Sequence, residues 1–335
     1  MAKTLRTGLI GLAAAIAVAA TSTAAGAVEL RVATVAPPKT PWGVWMSGVA
    51  KRVAELSKGD VKLDVHFSGA LGDEQTAARQ AARGRIDIAG ISNTAASLLV
   101  PEMQLLQTPF LWDSDKQMDC VYDNHLKSLI AEMMTAKGLV PLAYIEVGHY
   151  VLFTKKPVKT PADVAGMKLR AAPTKSNVEY LNAIGANGVP LGVADTAPAL
   201  KTGGVAGVEY NPLYGVAIGT HKLAPNILIT YHGHINGTLS ISKRVWDKLK
   251  PEQQDAVRKG ADVSDQLRTG VRKAHMFMLG KAQKDGAVVT KLSAAERAAW
   301  AAKAPGVQQA MLKSIGGRAQ DMWKAIQDGK AACGS

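Results

Sequence analysis

Apolar and polar positions follow a repeating order along the first third of the chain. Leu30 and Val32 alternate with charged neighbours in ELRVATVAP, which is the period of a half-buried strand. After Thr40-Pro41, a cap followed by proline at the first helical position, Trp42, Trp45, Met46, Val49, Val53 and Leu56 recur at helical spacing as far as Gly59. Val61, Leu63, Val65 and Phe67 alternate as a second strand. DEQTAARQAARG reads as a helix closed by Gly84, and RIDIAGIS as a third strand. This is a βαβαβ series ending at residue 92, with Ser92, Asn93 and Thr94 at the carboxyl end of its last strand. In open α/β sheets ligands sit beyond such ends.

Residues 95–140 read as mostly helical, LVPLAYIEVG as a strand, and GHYVLFTKKPVKTPADVAG as a passage into a second domain punctuated by Pro157 and Pro161. Its sheet comes from GMKLRAAPTKSNVEYLNAIGANGVPLGVADTAPALKTGGVAGVEYNP. Met167 and Leu169 alternate with Lys168 and Arg170, and Pro173 ends that strand because it cannot donate to the ladder. Thr174 or Ser176 caps a helix bearing Val178, Leu181 and Ile184 on one face, which Gly185 stops. GVPLGV is the next strand. Asp195 caps a second helix with Pro198 in its first turn, Gly203 and Gly204 end it, and Val205 to Tyr210 is a third strand. Arg170 and the segment Glu209 to Asn211 thus fall at strand ends, which is the address of a binding site. NILITYHGHINGTLSISKRVW reads as a strand pair returning to the first domain. From Ser242 the chain is helical, with Val257, Val263, Leu267, Val271, Met276 and Leu279 at helical spacing over a length that can lie across both domains. Further helices fill residues 294–332.

Composition narrows the function. The 335 residues are 47% hydrophobic and 20% charged, enough for two cores. Residues 1–27 carry the pattern of an export signal: basic MAKTLR, apolar GLIGLAAAIAVAA and the small Ala25-Gly26-Ala27. A soluble periplasmic protein beginning near Val28 is expected, and its formal charge falls from +13 to +11 once Lys3 and Arg6 are removed. The basic residues are dispersed and lack interleaved aromatics, so no nucleic-acid partner is expected. Cys120 and Cys333 are either a disulfide or two separate thiols. Nucleophile-elbow, phosphate-loop, metalloprotease, dithiol and dinucleotide motifs are missing, which points away from an enzyme. His232 and His234 share one strand face, a weak metal pattern. No metal or cofactor is expected. Arg170 has two equal readings, a fork for a ligand carboxylate or an exposed or salt-bridged arginine.

At PVKTPADVAGMKLRAAP, followed by GANGVPLGVADTAPALKTGGVAGVEYNP, the chain resembles the solute-binding proteins of tripartite ATP-independent periplasmic (TRAP) transporters. The opening strand with its Thr-Pro-Trp helix, SGALGDEQ, GRIDIAGIS, VPEMQLLQTPFLW and SKRVWDKLKPEQQDAV extend the likeness over nearly the whole chain. The resemblance implies a two-lobe α/β fold of the type II periplasmic binding-protein class, with a long helix spanning both lobes. Lobe I would comprise residues 28–147 plus about 236–275, and lobe II 148–235 plus about 276–335. It implies capture of an organic acid by hinge closure and delivery to a two-part membrane permease, with a receptor for an ATP-driven importer or sensor kinase as the alternative. The family's carboxylate-binding arginine falls on Arg170. Other positions depart from the family pattern. His149-Tyr150 replaces a second arginine, and the usual E-N-P becomes Glu209-Tyr210-Asn211-Pro212, so either Tyr210 or Asn211 faces the ligand. Val193 stands for a phenylalanine, and Ser92 with Asn93 for a glutamate. His234 completes the candidate set. One strong cation among tyrosines favours a monocarboxylate with a less polar body, such as an aromatic, branched-chain or keto acid.

Overall fold

The computed structural model describes residues 27–262 and 264–334. The export signal, apart from Ala27, and the helix position Val263 lie outside the described residues. The strands are β1 (Val28–Thr34), β2 (Val61–His66), β3 (Ile88–Ser92), β4 (Leu139–His149), β5 (Val151–Thr154), β6 (Lys168–Ala171), β7 (Asn187–Pro190), β8 (Gly207–Tyr210), β9 (Asn226–Ile229), β10 (His234–Ser242) and β11 (Val288–Lys291). They form two sheets, each the core of one lobe. The first runs β2-β1-β3-β10-β4 and the second β11-β9-β5-β8-β6-β7. In the first, β1 is parallel to β2 and β3, as crossover helices require, while β10 inserts antiparallel between β3 and β4. In the second, β6 is parallel to β7 and β8, and β5 is antiparallel to β8 and β9.

The pattern of NILITYHGHINGTLSISKRVW predicts a strand pair, yet β9 and β10 belong to different sheets, and the four residues 230–233 between them cross from one lobe to the other. β5 lies inside the segment read only as a passage. Its four residues are all buried, so it shows no alternation for a period-two pattern to detect. The helix attributed to an Asp195 cap starts at Val193 after Gly192, which places Pro198 in its interior.

The lobes are tied together in several places. β4 passes to β5 through Tyr150 alone, and His149 faces His234 in the β4–β10 ladder, so the two crossings run side by side. The helix Ser264–Lys284 spans both lobes: Leu267 and Val271 pack with Trp42, Val49 and Val53 of the first, and Leu279 and Ala282 with Phe153 and Ile227 of the second. It is shorter than the sequence pattern suggests, because Pro251 begins a separate helix that ends at Ala261. The C-terminal helix Ala319–Cys333, expected in lobe II, packs instead on Asp115–Leu126, and a disulfide joins Cys120 to Cys333.

Candidate functional site

The walls of the interlobe cleft are built from strand ends and helix starts. On β6, Leu169 turns into the lobe core and Arg170 turns toward the cleft, as the alternation requires, yet Arg170 is only 3% exposed. Its Nε donates to the Leu191 carbonyl at 2.9 Å and its Nη1 to the Glu209 carbonyl at 3.0 Å. The guanidinium lies 4.5 Å from the centre of the Tyr210 ring, in a cation–π contact. Among the described residues, Nη2 has no protein acceptor and no carboxylate forms a salt bridge with Arg170. Glu209, the acid beside it in the fold, is occupied elsewhere. Its Oε1 accepts from the Ala172 N–H at 2.8 Å and from Asn177 Nδ2 at 2.7 Å, and its Oε2 lies 3.1 Å from His232 Nε2.

Tyr210 and Asn211 both line the cleft, so the extra residue of this segment adds a wall rather than replacing one. The Tyr210 hydroxyl donates to Thr196 Oγ1 at 2.9 Å. Asn211 caps the helix Pro212–Ala217 by accepting from the Tyr214 N–H at 2.8 Å, and its amide nitrogen has no acceptor among the described residues. Tyr150 lines the cleft from the first crossing, its ring stacked 5.6 Å from His232, and burial raises its phenol above the usual range. Val193 sits at the start of its helix in the same cleft.

The facing wall comes from lobe I. Glu74, in the first turn of the helix Glu74–Ala82, accepts a 2.6 Å hydrogen bond from the Ser92 hydroxyl. Burial raises the Glu74 carboxyl above its ordinary range, against the lowering effects of Ser92 and of the positive field of Arg170. The neighbouring Gln75 presents a buried carboxamide oxygen with no partner. Thr34, Thr94 and Tyr214 add hydroxyl-bearing side chains, and most of the remaining surface is apolar: Trp42, Trp45 and Met46 from the first helix, and Ile91, Ile145, Val147 and Ile235 from the strands. The cleft and the solvent at its mouth together amount to about 820 Å³ of space free of protein atoms.

Six predicted residues thus come together: Arg170, Tyr150, Tyr210, Asn211, Ser92 and Val193. Three do not. His149 points away from its neighbour Tyr150, as adjacent extended residues must, and its Nε2 lies 2.7 Å from Asp115. His234 is 1% exposed and hydrogen-bonds Glu146 at 2.7 Å behind the cleft. Asn93 accepts from Gln107 Nε2 at 2.5 Å inside lobe I. Sequence reasoning overlooked Glu74, Gln75, Trp42, Trp45 and Tyr214. A signal existed for the first four, since their helices begin just beyond the carboxyl ends of β1 and β2. Tyr214 carried none.

His149, His234 and His275 cluster with charged side chains at the crossings. Arg272 of the long helix holds Asp119 at 2.7 Å and Glu146 at 3.0 Å. Burial alone would raise the Glu146 carboxyl, but His234 and Arg272 hold it at about 2. His275 donates toward the Val147 carbonyl at 3.2 Å, and burial lowers its imidazole to about 4.

Residues 32–314 match the family model described as bacterial extracellular solute-binding protein, family 7 (DctP). A solute-binding protein of Chromohalobacter salexigens is 29% identical over 242 residues, 72% of each chain. The C4-dicarboxylate-binding periplasmic protein DctP of Rhodobacter capsulatus is 22% identical over 292 residues, 86% of this chain and 88% of its own. Among solved structures, a TRAP periplasmic solute-binding protein from Bradyrhizobium sp. BTAi1 in complex with D-galacturonate superposes with a TM-score of 0.83 at 28% identity. That match covers 90% of this chain and 99% of its own. The match over most of the chain, together with two lobes closed around a cleft with a buried arginine, identifies the protein as a member of family 7 of the bacterial extracellular solute-binding proteins, the periplasmic receptors of TRAP transporters.

Proposed function

We propose that the protein captures an organic monocarboxylate with a largely apolar body between its lobes and presents it to a TRAP membrane permease, returning it chemically unchanged. One observation carries this reading. Arg170 is almost fully buried at the cleft, forms no salt bridge with any carboxylate among the described residues, and has a fork nitrogen with no acceptor among them. A cation held in a low-dielectric wall costs several kcal/mol unless paired. A ligand carboxylate brings that pairing, with charge-assisted hydrogen bonds that also favour the closed state through differential affinity.

The nature of the body follows from the rest of the wall. Tryptophan, methionine, isoleucine and valine side chains cover most of it, and each hydroxyl of a sugar acid set against them would lose water without regaining a hydrogen bond. The galacturonate-bound relative supports carboxylate capture on this fold, and the lining argues for fewer hydroxyls here.

The test is a thermal-shift screen of phenyl-bearing monocarboxylates, branched-chain 2-oxo acids, hexuronates and C4-dicarboxylates. A specific acid at 100 times its dissociation constant should add about 2.7 kcal/mol of stability. No shift with any carboxylate overturns the reading, and a stronger response to hexuronates or dicarboxylates overturns its finer part. Consumption of a bound acid would show catalysis instead.

A further inference from the structure

The alternation that turns Tyr150 and Ile235 into the cleft turns their chain neighbours His149 and His234 to the other side of the crossings, where a second pocket lies. Its volume, for a water-sized occupant, is about 20 Å³, room for about one water or one halide ion. No carboxylate among the described residues lines it. Arg297 does line it. Its Nη2 donates to the Tyr231 carbonyl at 3.2 Å, its guanidinium lies 4.6 Å from the centre of the Phe110 ring, and it has no salt-bridge partner among the described residues. Two other lining residues carry a buried nitrogen with no partner among the described residues: Trp112 at Nε1 and His234 at Nδ1. Trp112 is 9% exposed and His234 1%. The acids that His149 and His234 do engage, Asp115 and Glu146, each lie 2.7 Å from Nε2 of the ring and are not part of the lining. Phe110 and Tyr231, also in the wall, hold left-handed backbone at φ +51° and +45°, which costs energy in residues other than glycine.

The walls come from both lobes. Trp112 packs against Tyr122 of lobe I, with ring centres 5.6 Å apart. Arg297 sits on the helix Ala294–Ala301, whose Trp300 donates from Nε1 to the Lys159 carbonyl at 3.1 Å and accepts from the Tyr180 hydroxyl at 3.4 Å, both of lobe II.

We propose that this pocket is an anion site behind the interlobe crossings, in which Arg297 and the Trp112 N–H hold a halide-sized inorganic anion such as chloride between the two lobes. Both groups can only donate, so what they share is an acceptor. An uncancelled guanidinium in a wall without carboxylates favours an anion over water in that place. His234 Nδ1 adds a third donor when its ring is protonated, with Glu146 as the countercharge at Nε2. An organic acid is too large for the space, so this site is distinct from the cleft.

The experiment is chloride-35 NMR on the mature protein in sodium chloride. The parent should broaden the chloride line beyond that of free solution, and bromide should compete the excess away. Arg297→Gln should lower the excess more than twofold. Arg170→Met, which removes the same single charge from the cleft, should lower it less than twofold. No excess in the parent means that the pocket holds water alone, and the proposal fails. It fails equally if Arg297→Gln lowers the excess less than twofold, or if Arg170→Met lowers it more, which would put the ion in the cleft. Should Arg297→Gln not fold, Trp112→Phe, which keeps a ring against Tyr122 and removes the N–H, is held to the same twofold.

Discussion

Arg170→Met keeps most of the apolar stem and removes the guanidinium. In the parent that group donates to two main-chain carbonyls, at 2.9 and 3.0 Å, and has one nitrogen left for the cleft. Truncating one partner of a desolvated, hydrogen-bonded charge pair costs about 2–5 kcal/mol of binding. At about 1.4 kcal/mol per tenfold, the dissociation constant of the acid found by screening should rise by roughly 30-fold to a few thousandfold. Stability should change less, because two effects oppose each other. Losing two hydrogen bonds from a charged donor costs about 1.5–3 kcal/mol each. Removing a buried cation that has no salt-bridge partner offsets part of that loss by relieving its desolvation. Arg170→Lys retains the charge, but a point ammonium cannot serve the Leu191 and Glu209 carbonyls and also grip a carboxylate at two points, so it too should bind at least tenfold more weakly. Isothermal calorimetry on each variant, paired with urea unfolding, separates the two quantities. A folded Arg170→Met that binds within threefold of the parent would refute the anchor.

Other outcomes follow from the frame around the cleft. The His275 imidazole is lowered by burial to about 4, so between pH about 4 and 6.5 it is neutral in the folded chain and protonated in the unfolded one. Stability is therefore complete above pH about 6.5 and declines as pH falls toward 4, by about 3 kcal/mol at most, and His275→Asn should flatten that slope in urea titrations at stepped pH. Gly148, at φ +107°, lies so close to His275 that a Cβ there would fall 1.8 Å from the imidazole Cε1. Gly148→Ala should lose at least about 3 kcal/mol, and part of that should return in Gly148→Ala/His275→Ala, measured by chemical denaturation. The disulfide closes a loop between residues 213 apart, so Cys120→Ser/Cys333→Ser should cost up to about 5 kcal/mol in the chain-entropy limit, read from the urea midpoint. An unchanged midpoint would show that the C-terminal helix docks by packing alone.

The alternation and helical spacing of residues 28–92 and 166–212 are local properties, and the first five elements of lobe I and the β6–β8 unit of lobe II follow from them. The strand-end position of Arg170 was equally legible, because side-chain direction on a strand is fixed by a period of two. Where burial on both faces erased the period, as in β5, the pattern was silent. Where chain neighbours join different sheets, as β9 and β10 do, it misled. The pairing of Cys120 with Cys333 and the return of the last helix to lobe I are contacts between distant segments that no local period encodes.

The sequence by itself determined the elements, their order and the arginine at a strand end. Only the tertiary structure decided that Tyr150 faces the cleft while His149 and His234 lie behind it, and that Tyr210 and Asn211 both line it. It also decided that the Glu209 carboxylate is spent on the Ala172 N–H, Asn177 and His232. The reason is physical: a side chain's chemical identity is written at one position, but whether its charge is free or spent depends on partners brought in from elsewhere along the chain.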